Sequence, residues 1–457
     1  MKASSLALMG GGLFIPGPAI SGTGAARIEL TASKGNYKFE QDQQSPTQLM
    51  FFNKAIPGPV IRIPQGQESI VELHNDLDEP TSVHWHGLRI DNEMDGVPGM
   101  TQDPIQPGES FLYRLRPPDA GTYWYHSHQR TWGQLAFGLA GILIVEEDEA
   151  PRVDQDLIFA VDDWRLDDHL QFDSASLGSM HDWSHGGRLG NWITINGRLD
   201  HPYRVSKGER IRFRMLNIAN ARTMKLRINQ PLSRVIAIDG QPVKPYELKS
   251  GVVTLAPGQR SDLIIDISGE PNSGSPIELL IKDQVYTVSS FEVDGNIKRQ
   301  EILESSITLP PNPMNRIQLP QTSKQVPLHI GGGAMGGMQQ AIYQGREMGI
   351  QELIQNKKIW AFNGIAGLPD SPLFKVRRGS AVSLNIDNDN AWSHAMHIHG
   401  HHFIDQKQPG VWRDTALFMR EEKGSLRFVA DNPGKWLIHC HMIEHQAGGM
   451  ITWFEVT

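Results

Sequence analysis

The sequence contains a single cysteine, Cys440, so its 457 residues hold no disulfide framework. An excess of positive charge is also lacking: Lys and Arg are scattered along a chain of net charge −8, which excludes the basic patches of a nucleic-acid-binding protein. The apolar stretch near the N-terminus is short and interrupted by glycine and proline, so no membrane-spanning helix is predicted. A chain of this length can bury its own cores, and at roughly 150 residues per domain it predicts about three domains.

The cysteine lies in the most informative segment of the chain, HCHMIEHQAGGM at residues 439–450. A histidine stands on each side of Cys440, another follows five residues later and a methionine follows ten residues later. Two imidazoles, a thiolate and a weak axial thioether are the ligands of a mononuclear blue copper site. Because successive side chains of a strand point to opposite faces, the two flanking histidines can reach a second metal centre. Such an arrangement suits the transfer of single electrons.

Three further histidine clusters accompany this segment: HWHG at 84–87, HSH at 126–128 and HAMHIHG at 394–400. Together the four clusters contain ten of the eighteen histidines. A His-x-His pair within a strand places both imidazoles on one face, where they can bind adjacent metal ions. Ordinary polar or core histidines would explain one such pair, but they do not explain four clusters and the only cysteine. The sequence therefore predicts metal binding.

These motifs, HxHG, HxH, HxxHxH and HCHxxxHxxxxM in this order, resemble those of the multicopper oxidases. The resemblance extends from about residue 27 to the C-terminus. It implies four copper ions, one of type 1, one of type 2 and a type 3 pair. The type 1 copper would be bound by His394, Cys440 and His445, with Met450 as the weak axial ligand.

The other eight motif histidines would hold the remaining three ions as a trinuclear cluster. The resemblance assigns His84 and His397 to the type 2 copper. It assigns the other six to the type 3 pair, namely His86, His126, His128, His399, His439 and His441. Because these ligands come from both ends of the chain, we expect the cluster between the first and last domains. The middle domain is then expected to act as a spacer and wall.

An internal repeat supports three similar units. Three segments of equal length share one pattern of alternating apolar and polar residues: 66–84, 208–226 and 379–397. Each begins with glycine and ends, eighteen residues later, at His84, Leu226 or His397. The same strand–turn–strand unit is thus predicted three times, with metal ligands only in the outer copies.

Alternation such as that of Ile211, Phe213 and Met215, bounded by Gly and Pro turns, predicts half-buried strands. We therefore predict an all-β fold of three consecutive cupredoxin-type Greek-key β-sandwich domains. The boundaries are placed at an acidic, Pro-containing stretch and at a Pro-rich stretch. They give three domains, residues 27–150, 151–310 and 311–457.

The resemblance also implies a mechanism. Reduction of dioxygen to water requires four electrons, whereas common organic or metal donors supply one each. The type 1 site would accept electrons singly, and Cys440, bonded through the backbone to its two neighbouring histidines, would conduct them to the trinuclear cluster. Glu444, inside the motif, is predicted to donate protons toward the dioxygen-derived oxygens. Asp95, in the segment NEMDG, is predicted to orient bound water or the ligand histidines. A solvated surface carboxylate is the alternative for either residue.

The reducing substrate has two main alternatives. A laccase-like enzyme would oxidise phenols or aromatic amines in a shallow pocket near His445. A metal oxidase for copper tolerance would oxidise Cu(I) and carry a Met-rich insertion. Met335 and Met338 in the Gly-rich stretch 331–338, with Met348, are either a trace of such an insertion or part of a flexible Gly loop. A copper-free cell-envelope scaffold protein of the same fold is a third alternative, but such relatives have lost ligands that this chain retains. We predict the laccase-like activity.

Residues 1–26 are predicted to be part of an export signal, because Lys2 precedes an apolar stretch that small residues follow. A disordered tail is the alternative. A twin-arginine pair is expected in the export signal of a folded metalloprotein, but the segment contains none. We therefore expect a periplasmic or secreted protein. Its expected partners are dioxygen and the electron donor, and the resemblance implies a monomer.

Overall fold

A computed structural model of the chain describes residues 20–21, 27–301, 303 and 307–457. The predicted export segment, residues 1–26, lies outside the described residues except for the strand Ile20–Ser21. Strands form most of the regular structure. The described residues also include four short α-helices, α1 to α4 in chain order: Thr131–Gln134, Met180–Ser184, Ile350–Gln355 and Ile443–Ala447. Their 3₁₀ helices are Asn92–Met94, Ser174–Ser176, Lys249–Gly251 and Pro313–Arg316.

The N-terminal third of the chain forms two facing sheets. Its strands, β1 to β9 in chain order, are Ile20–Ser21, Arg27–Tyr37, Thr47–Phe52, Gly58–Pro64, Ser69–Asp76, His84–His86, Ser110–Leu115, Gly121–His126 and Ala140–Glu146. One sheet has the order β1-β4-β9-β8-β6 and the other β3-β2-β5-β7. The apolar side chains between these sheets form one core.

The middle third forms a second pair of sheets. Its strands, β10 to β20 in chain order, are Gln155–Trp164, Trp192–Ile195, Tyr203–Lys207, Arg210–Asn217, Met224–Ile228, Ser233–Ile238, Gln241–Glu247, Val252–Leu255, Arg260–Asp266, Gly274–Ile281 and Gln284–Ile297. One sheet has the order β11-β10-β13-β18-β15-β16 and the other β12-β20-β19-β14-β17. A separate apolar core lies between them.

The C-terminal third forms the last pair of sheets. Its strands, β21 to β33 in chain order, are Lys324–Gly332, Gln340–Tyr343, Arg346–Gly349, Trp360–Phe362, Phe374–Val376, Ser380–Asn388, His394–Ile398, Phe403–Asp405, Trp412–Arg413, Thr415–Phe418, Glu422–Ala430, Gly434–Cys440 and Ile451–Val456. The sheets run β24-β21-β26-β31-β28-β29 and β25-β33-β32-β27-β30. The strands β22 and β23 form a separate hairpin.

The same strand order recurs in all three sandwiches. The first sheets contain β4-β9-β8-β6, β12-β20-β19-β14 and β25-β33-β32-β27, and the second contain β2-β5-β7, β10-β13-β18 and β21-β26-β31. The three repeated segments 66–84, 208–226 and 379–397 therefore occupy equivalent places. This confirms the prediction of an all-β fold with three cupredoxin-type β-sandwiches. The exact domain boundaries stay predictions.

One strand departs from the predicted half-buried pattern. All eight residues of β13 are buried, including its polar residues Arg210, Arg212 and Arg214. Nε of Arg210 donates to Oδ1 of Asp266 at 2.6 Å, and Nη1 of Arg214 donates to Oγ1 of Thr122 in the N-terminal sandwich at 2.8 Å. The prediction was wrong for this strand because a neighbouring sandwich covers its outer face. Arginine is tolerated there because hydrogen bonds and carboxylates compensate its desolvation.

A smaller apolar cluster joins the three sandwiches. It contains Trp124 from β8, Leu216 from β13 and Ile443 from α4, each no more than 2% exposed. Since α4 directly follows the segment that carries Cys440, this cluster fixes the last sandwich against the other two close to the predicted metal ligands.

Candidate metal centres

Strand pairing brings the histidine motifs of each outer sandwich together. In the N-terminal sandwich β6 pairs with β8, and His84 lies opposite His126. In the C-terminal sandwich β27 pairs with β32, and His397 lies opposite His439. The two pairs are therefore equivalent positions of the repeat, and they approach each other where the outer sandwiches meet: the rings of His84 and His397 are 5.9 Å apart.

The predicted type 1 ligands converge on one point. Sγ of Cys440 lies 3.7 Å from Nδ1 of His394 and 3.7 Å from Nδ1 of His445, and the two Nδ1 atoms are 3.0 Å apart. All three side chains are fully buried. Met450, the predicted axial ligand, is also buried and joins the group through its backbone: its carbonyl accepts from the Cys440 amide, and its amide donates to the carbonyl of His445.

The hydrogen bonds of the His394 and His445 rings show which ring nitrogen carries the N–H and which carries the free lone pair. Nε2 of His394 donates to Oδ1 of Asn390 at 3.1 Å, and Nε2 of His445 donates to the backbone carbonyl of His185 at 2.7 Å. A neutral imidazole has one N–H, so both Nδ1 atoms are lone-pair acceptors that face each other. Two such lone pairs repel without a cation between them. With a thiol beside them, they fit a soft metal ion.

The eight other predicted ligands lie together in the protein interior. They fall into three groups, and within each group the ligand nitrogens lie within 4.8 Å of one another: His84, His86 and His397; His86, His126 and His441; His128, His399 and His439. The last two groups contain the six predicted type 3 ligands, and the first contains both predicted type 2 ligands. The structure thus brings together every histidine that the motifs indicated.

The nitrogens in this cluster are arranged as metal ligands require. Nε2 of His399 faces Nε2 of His439 at 2.9 Å, while their Nδ1 atoms contact Oδ2 of Asp95 and the carbonyl of Cys440. Since the outer nitrogens donate, the facing ones are lone pairs. Among the described residues, further buried nitrogens have no hydrogen-bond partner: Nε2 of His84, His126, His128 and His397, Nδ1 of His86, and both nitrogens of His441. Buried, unpaired nitrogens are costly unless a metal ion takes them.

The two predicted type 2 ligands are held in the same way. Nδ1 of His84 donates to the backbone carbonyl of Asp95, and Nδ1 of His397 donates to that of Asp414, each at 2.8 Å. Both bonds fix the ring so that Nε2 faces the interior. A backbone carbonyl on the outer nitrogen of a ligand histidine sets its tautomer and orientation.

The side chains of the same two aspartates cross between the outer sandwiches. Asp95, from the N-terminal sandwich, accepts from Nδ1 of His399 at 2.8 Å. Asp414, from the C-terminal sandwich, lies with Oδ1 3.1 Å from Nε2 of His86. Arg260 of the middle sandwich donates to both carboxylate oxygens of Asp414, at 2.9 and 2.7 Å. Asp95 thus contacts two of the predicted ligand histidines, and its orienting role stays a prediction. Asp414 and Arg260 were missed because no sequence motif connects them to the ligands.

Burial sets the protonation state of the ligands. It lowers the pKa of His394 and of most cluster histidines well below the usual value, and neighbouring imidazoles lower the pKa of the cluster histidines further. Burial also lowers the pKa of His439 and His445 to about 4, and it raises the pKa of Cys440 to about 12. The imidazoles with a lowered pKa are thus neutral, as metal ligands must be, and the thiolate requires a cation beside it at neutral pH.

Glu444 lies on α4 with its carboxylate directed toward the middle sandwich. It is 2% exposed, and Oε1 accepts from Nδ2 of Asn220 at 3.2 Å. Burial raises the pKa of this carboxyl. Its side-chain hydrogen bond thus reaches the middle sandwich rather than a ligand histidine. The alternative of a solvated surface carboxylate was wrong for both Glu444 and Asp95, since both are buried. The proton-donor role of Glu444 stays a prediction.

Three family models, each described as multicopper oxidase, match residues 32–150, 155–273 and 343–457. The chain belongs to the multicopper oxidases. It is 29% identical over 436 residues to the multicopper oxidase MmcO of Mycobacterium tuberculosis, covering 88% of this chain and 82% of the relative. It is also similar to two solved structures. Lac15 from a marine microbial metagenome is 35% identical with a TM-score of 0.75, covering 94% of this chain and 100% of the other. The multicopper oxidase from Pseudomonas thermotolerans is 26% identical with a TM-score of 0.81, covering 96% and 100%.

As a multicopper oxidase, the protein is a copper-dependent oxidoreductase, and dioxygen is the electron acceptor typical of the family. The donor sets described above fit copper by their chemistry, with imidazoles throughout and one thiol. No helix among the described residues is long and apolar enough to cross a membrane.

Proposed function

We propose that this multicopper oxidase is a laccase-type enzyme, which couples four one-electron oxidations of phenols or aromatic amines to the reduction of dioxygen to water. One observation carries the proposal. On β32, Cys440 joins the mononuclear ligand group, while its neighbours His439 and His441 join the cluster of eight histidines. The two centres are therefore connected by a few covalent bonds of one strand, which suits electron transfer from a surface donor to a buried acceptor.

We assign four copper ions to these residues. The type 1 ion would be held by His394, Cys440 and His445, with Met450 completing the set. The type 2 ion belongs to His84 and His397, and the type 3 pair to the six remaining histidines, whose two groups of three each fit one ion. Copper held by these ligands supplies the one-electron and dioxygen chemistry of the reaction.

The protein residues position the ligands and exclude water. Asp95 and Asp414 each hold one histidine by the backbone carbonyl and another by the carboxylate, so a shift of either outer sandwich would displace ligands of both. All these side chains are buried, which keeps bulk water away from partly reduced oxygen. Cys440 provides the covalent connection through which electrons leave the type 1 ligands.

Glu444 is proposed as the proton donor for dioxygen reduction. Its buried carboxyl has a raised pKa, so it can hold a proton where water is scarce. Replacing it by Gln removes the proton and keeps the shape and the acceptor for Asn220. We expect Glu444→Gln to slow reoxidation of the reduced enzyme by dioxygen about 100-fold, with anaerobic reduction by the donor unchanged. Unchanged reoxidation would end this assignment.

The donor site is proposed in a groove above the type 1 ligands. The groove has a volume of about 460 Å³ and lies between α2 of the middle sandwich and α3 of the C-terminal sandwich. Its lining includes Met180, His181, Met338, Ile350 and Ile354. Apolar walls with a few polar groups are typical of sites for small organic ligands, and this volume accommodates a substituted phenol.

A second candidate activity is the oxidation of Cu(I). Met180 and Met338 line the same groove, and Met335 on the adjoining loop is 81% exposed. Thioethers bind Cu(I) well. Met348, however, is 5% exposed and packs in the core beneath the hairpin of β22 and β23. It therefore does not belong to this group of accessible methionines.

Steady-state oxygen consumption distinguishes the two activities. Copper-loaded protein is supplied with guaiacol or with Cu(I), and the background is measured with Cys440→Ser. We expect faster turnover on guaiacol, and the double variant Met335→Leu/Met338→Leu should leave this rate within about twofold. Faster turnover on Cu(I) that falls in the double variant would contradict the laccase proposal and support a cuprous oxidase.

We further propose that the protein is periplasmic or secreted and monomeric. Export rests on the composition of residues 1–26, as given above, and the monomer on the family resemblance. A copper-free scaffold role is disfavoured, because every predicted ligand is present and placed within a ligand group or beside one.

A further inference from the structure

Three consecutive residues of the middle sandwich cover the type 1 ligands. We call residues 183–185 the cover segment. Each of its carbonyl groups accepts a hydrogen bond from the C-terminal sandwich: that of Trp183 from Nε1 of Trp360 at 2.6 Å, that of Ser184 from the amide of Ala334 at 2.7 Å. The carbonyl of His185 accepts from Nε2 of the ligand His445 at 2.7 Å. The cover segment is thus fixed at three successive points.

This cover leaves no type 1 ligand at the surface. His394, Cys440, His445 and Met450 are all 0% exposed, and Trp360, whose ring lies 4.5 Å from that of His445, is 0% exposed as well. The outer nitrogen of His445, Nε2, is occupied by the carbonyl of His185. The shallow pocket near His445 stays a prediction, and the cover segment lies between the surface and His445. A donor molecule meets the cover segment before it can meet a ligand.

The outer side of the cover is aromatic. The ring of His185 stacks on that of His181 with 4.1 Å between centroids and an angle of 13°, and it packs against the edge of Trp392 at 5.0 Å. The side chain of His181 is 76% exposed and also lines the donor groove. Nδ1 of His185 donates to the carbonyl of His181 at 2.8 Å, which fixes the stacked pair. This surface presents flat rings to a flat donor.

We propose that electrons enter the protein through the cover segment of the middle sandwich, and that the His185 carbonyl is the link between the bound donor and His445. The inference rests on the proposed function, because it requires an external aromatic donor. A phenol docked in the groove against His181 loses one electron and becomes a phenoxyl radical, and its hydroxyl proton passes to solvent water. The electron would cross the hydrogen bond between the His185 carbonyl and His445 Nε2, and copper held by His394, Cys440 and His445 would supply the one-electron acceptor.

The adjoining glycines offer a matched pair of variants. Gly187 has φ +80°, and a Cβ on it would lie 2.3 Å from Cβ of Ala221 and 3.1 Å from Oε2 of Glu444. Gly187→Ala must therefore shift the chain that follows His185. A Cβ on Gly186 would meet only Trp392, at 3.8 Å, which is ordinary contact. Gly186→Ala adds the same methyl group at the neighbouring position and is therefore the matched control.

A second pair tests the attachment from the other side. Ala334→Pro removes the amide that holds the Ser184 carbonyl, whereas Ala334→Ser retains it. Ala334 lies in the Gly-rich loop rather than in a core, so this variant is expected to fold even where Gly187→Ala does not.

The measurement is the rate at which the copper–thiolate absorption disappears when guaiacol reduces the protein anaerobically in a stopped-flow instrument. Hexaammineruthenium(II), a compact outer-sphere reductant, is used for comparison. We expect Gly187→Ala and Ala334→Pro to slow reduction by guaiacol at least tenfold relative to Gly186→Ala and Ala334→Ser. Reduction by the ruthenium complex should change by less than about threefold. The intensity of the absorption should persist, because no ligand is altered.

A redox titration of the same band gives a readout independent of turnover. A carbonyl that accepts from the ligand N–H makes the imidazole a better donor to copper, so its loss should raise the type 1 reduction potential. Equal or faster reduction by guaiacol in both shifted variants, with an unchanged potential, would overturn the inference and make the cover a simple wall. If guaiacol and other phenols fail to reduce the wild-type protein while Cu(I) succeeds, the proposed function fails first and the inference with it.

Discussion

The outer sandwiches and the middle sandwich use equivalent positions for opposite purposes. In the outer sandwiches, β6 and β8 pair His84 with His126, and β27 and β32 pair His397 with His439. At the equivalent positions of the middle sandwich, Leu226 pairs with Leu279. Both leucines are completely buried in the core of the middle sandwich. The sandwich therefore forms whether these positions hold leucine or histidine. The fold is a scaffold that apolar packing stabilises, and the ligands are added to it where two outer copies meet.

The middle sandwich still contacts both metal centres, although its own strands contain none of the predicted metal ligands. Arg260 holds the carboxylate of Asp414 beside the histidine cluster, and the carbonyl of His185 holds His445. The expectation of a spacer and wall was therefore incomplete. Without metal ligands at these positions, the middle copy supports the ligands of its neighbours.

The largest expected effect comes from removing the residue that connects the two centres. Cys440→Ser replaces the soft thiolate by a hard hydroxyl that binds copper weakly at this position. We expect the blue absorption to disappear and oxygen consumption to fall to background. Met442→Leu, a buried change of similar volume two residues away, should retain both. Oxygen consumption near the wild-type rate in Cys440→Ser would show that electrons reach the histidine cluster by another route.

The two carboxylates that cross between the outer sandwiches should have the next largest effect. Asp95→Asn and Asp414→Asn each keep the backbone carbonyl that holds one histidine, but weaken the acceptor for another. We expect copper affinity of the trinuclear site to fall roughly 10- to 100-fold in either variant. Competition with a chelator measures this, and Asp103→Asn, an exposed carboxylate of the N-terminal sandwich, is the control. A loss in only one of the two variants would break the equivalence of the outer sandwiches.

Placing a ligand side chain in the middle copy tests the comparison from the other side. Leu226→His removes a fully buried apolar side chain and leaves an imidazole without a designed partner. We expect the free energy of unfolding to fall by roughly 3–5 kcal/mol, with no gain in copper per molecule. Urea denaturation and metal analysis measure the two quantities, and Leu226→Met controls for the change of shape. Binding of an additional copper would show that the fold alone nearly suffices for a site.

The smallest expected effect concerns a histidine of the middle sandwich that binds no metal. Burial lowers the pKa of His201 from 6.5 to about 4. The unfolded chain therefore binds more protons than the folded chain between these values, so this contribution to stability is lost as the pH falls from about 6.5 toward 4. At 1.36 kcal/mol per pKa unit, the loss is roughly 3 kcal/mol near pH 4.

The variant His201→Gln should flatten this part of the stability profile. Urea denaturation of the copper-loaded protein between pH 7 and pH 4 compares the variant with the wild type. Ligand histidines hold copper over much of this range, so the difference reports His201. Parallel profiles would mean that His201 has the same pKa in the folded and the unfolded chain.

The ligand motifs and the triple repeat are visible in the sequence, and together they predicted the all-β sandwiches. The physical reason is locality: a strand alternates its side chains with period two, so HxH and HCH fix which residues share a face. The equivalent positions of His84, Leu226 and His397 also follow from spacing alone. Each of these properties depends on residues within about twenty positions of one another.

The residues that hold the ligand histidines in place could be identified from the tertiary structure but not from the sequence. His86 and Asp414 are 328 positions apart, and His185 and His445 are 260 positions apart. No local pattern connects residues at such separations. The buried state of Arg212 likewise depends on a neighbouring sandwich covering its strand, because a polar residue in an alternating strand otherwise predicts a solvent-facing side chain. Packing between sandwiches, rather than the repeat within them, set the surroundings of the metal ligands.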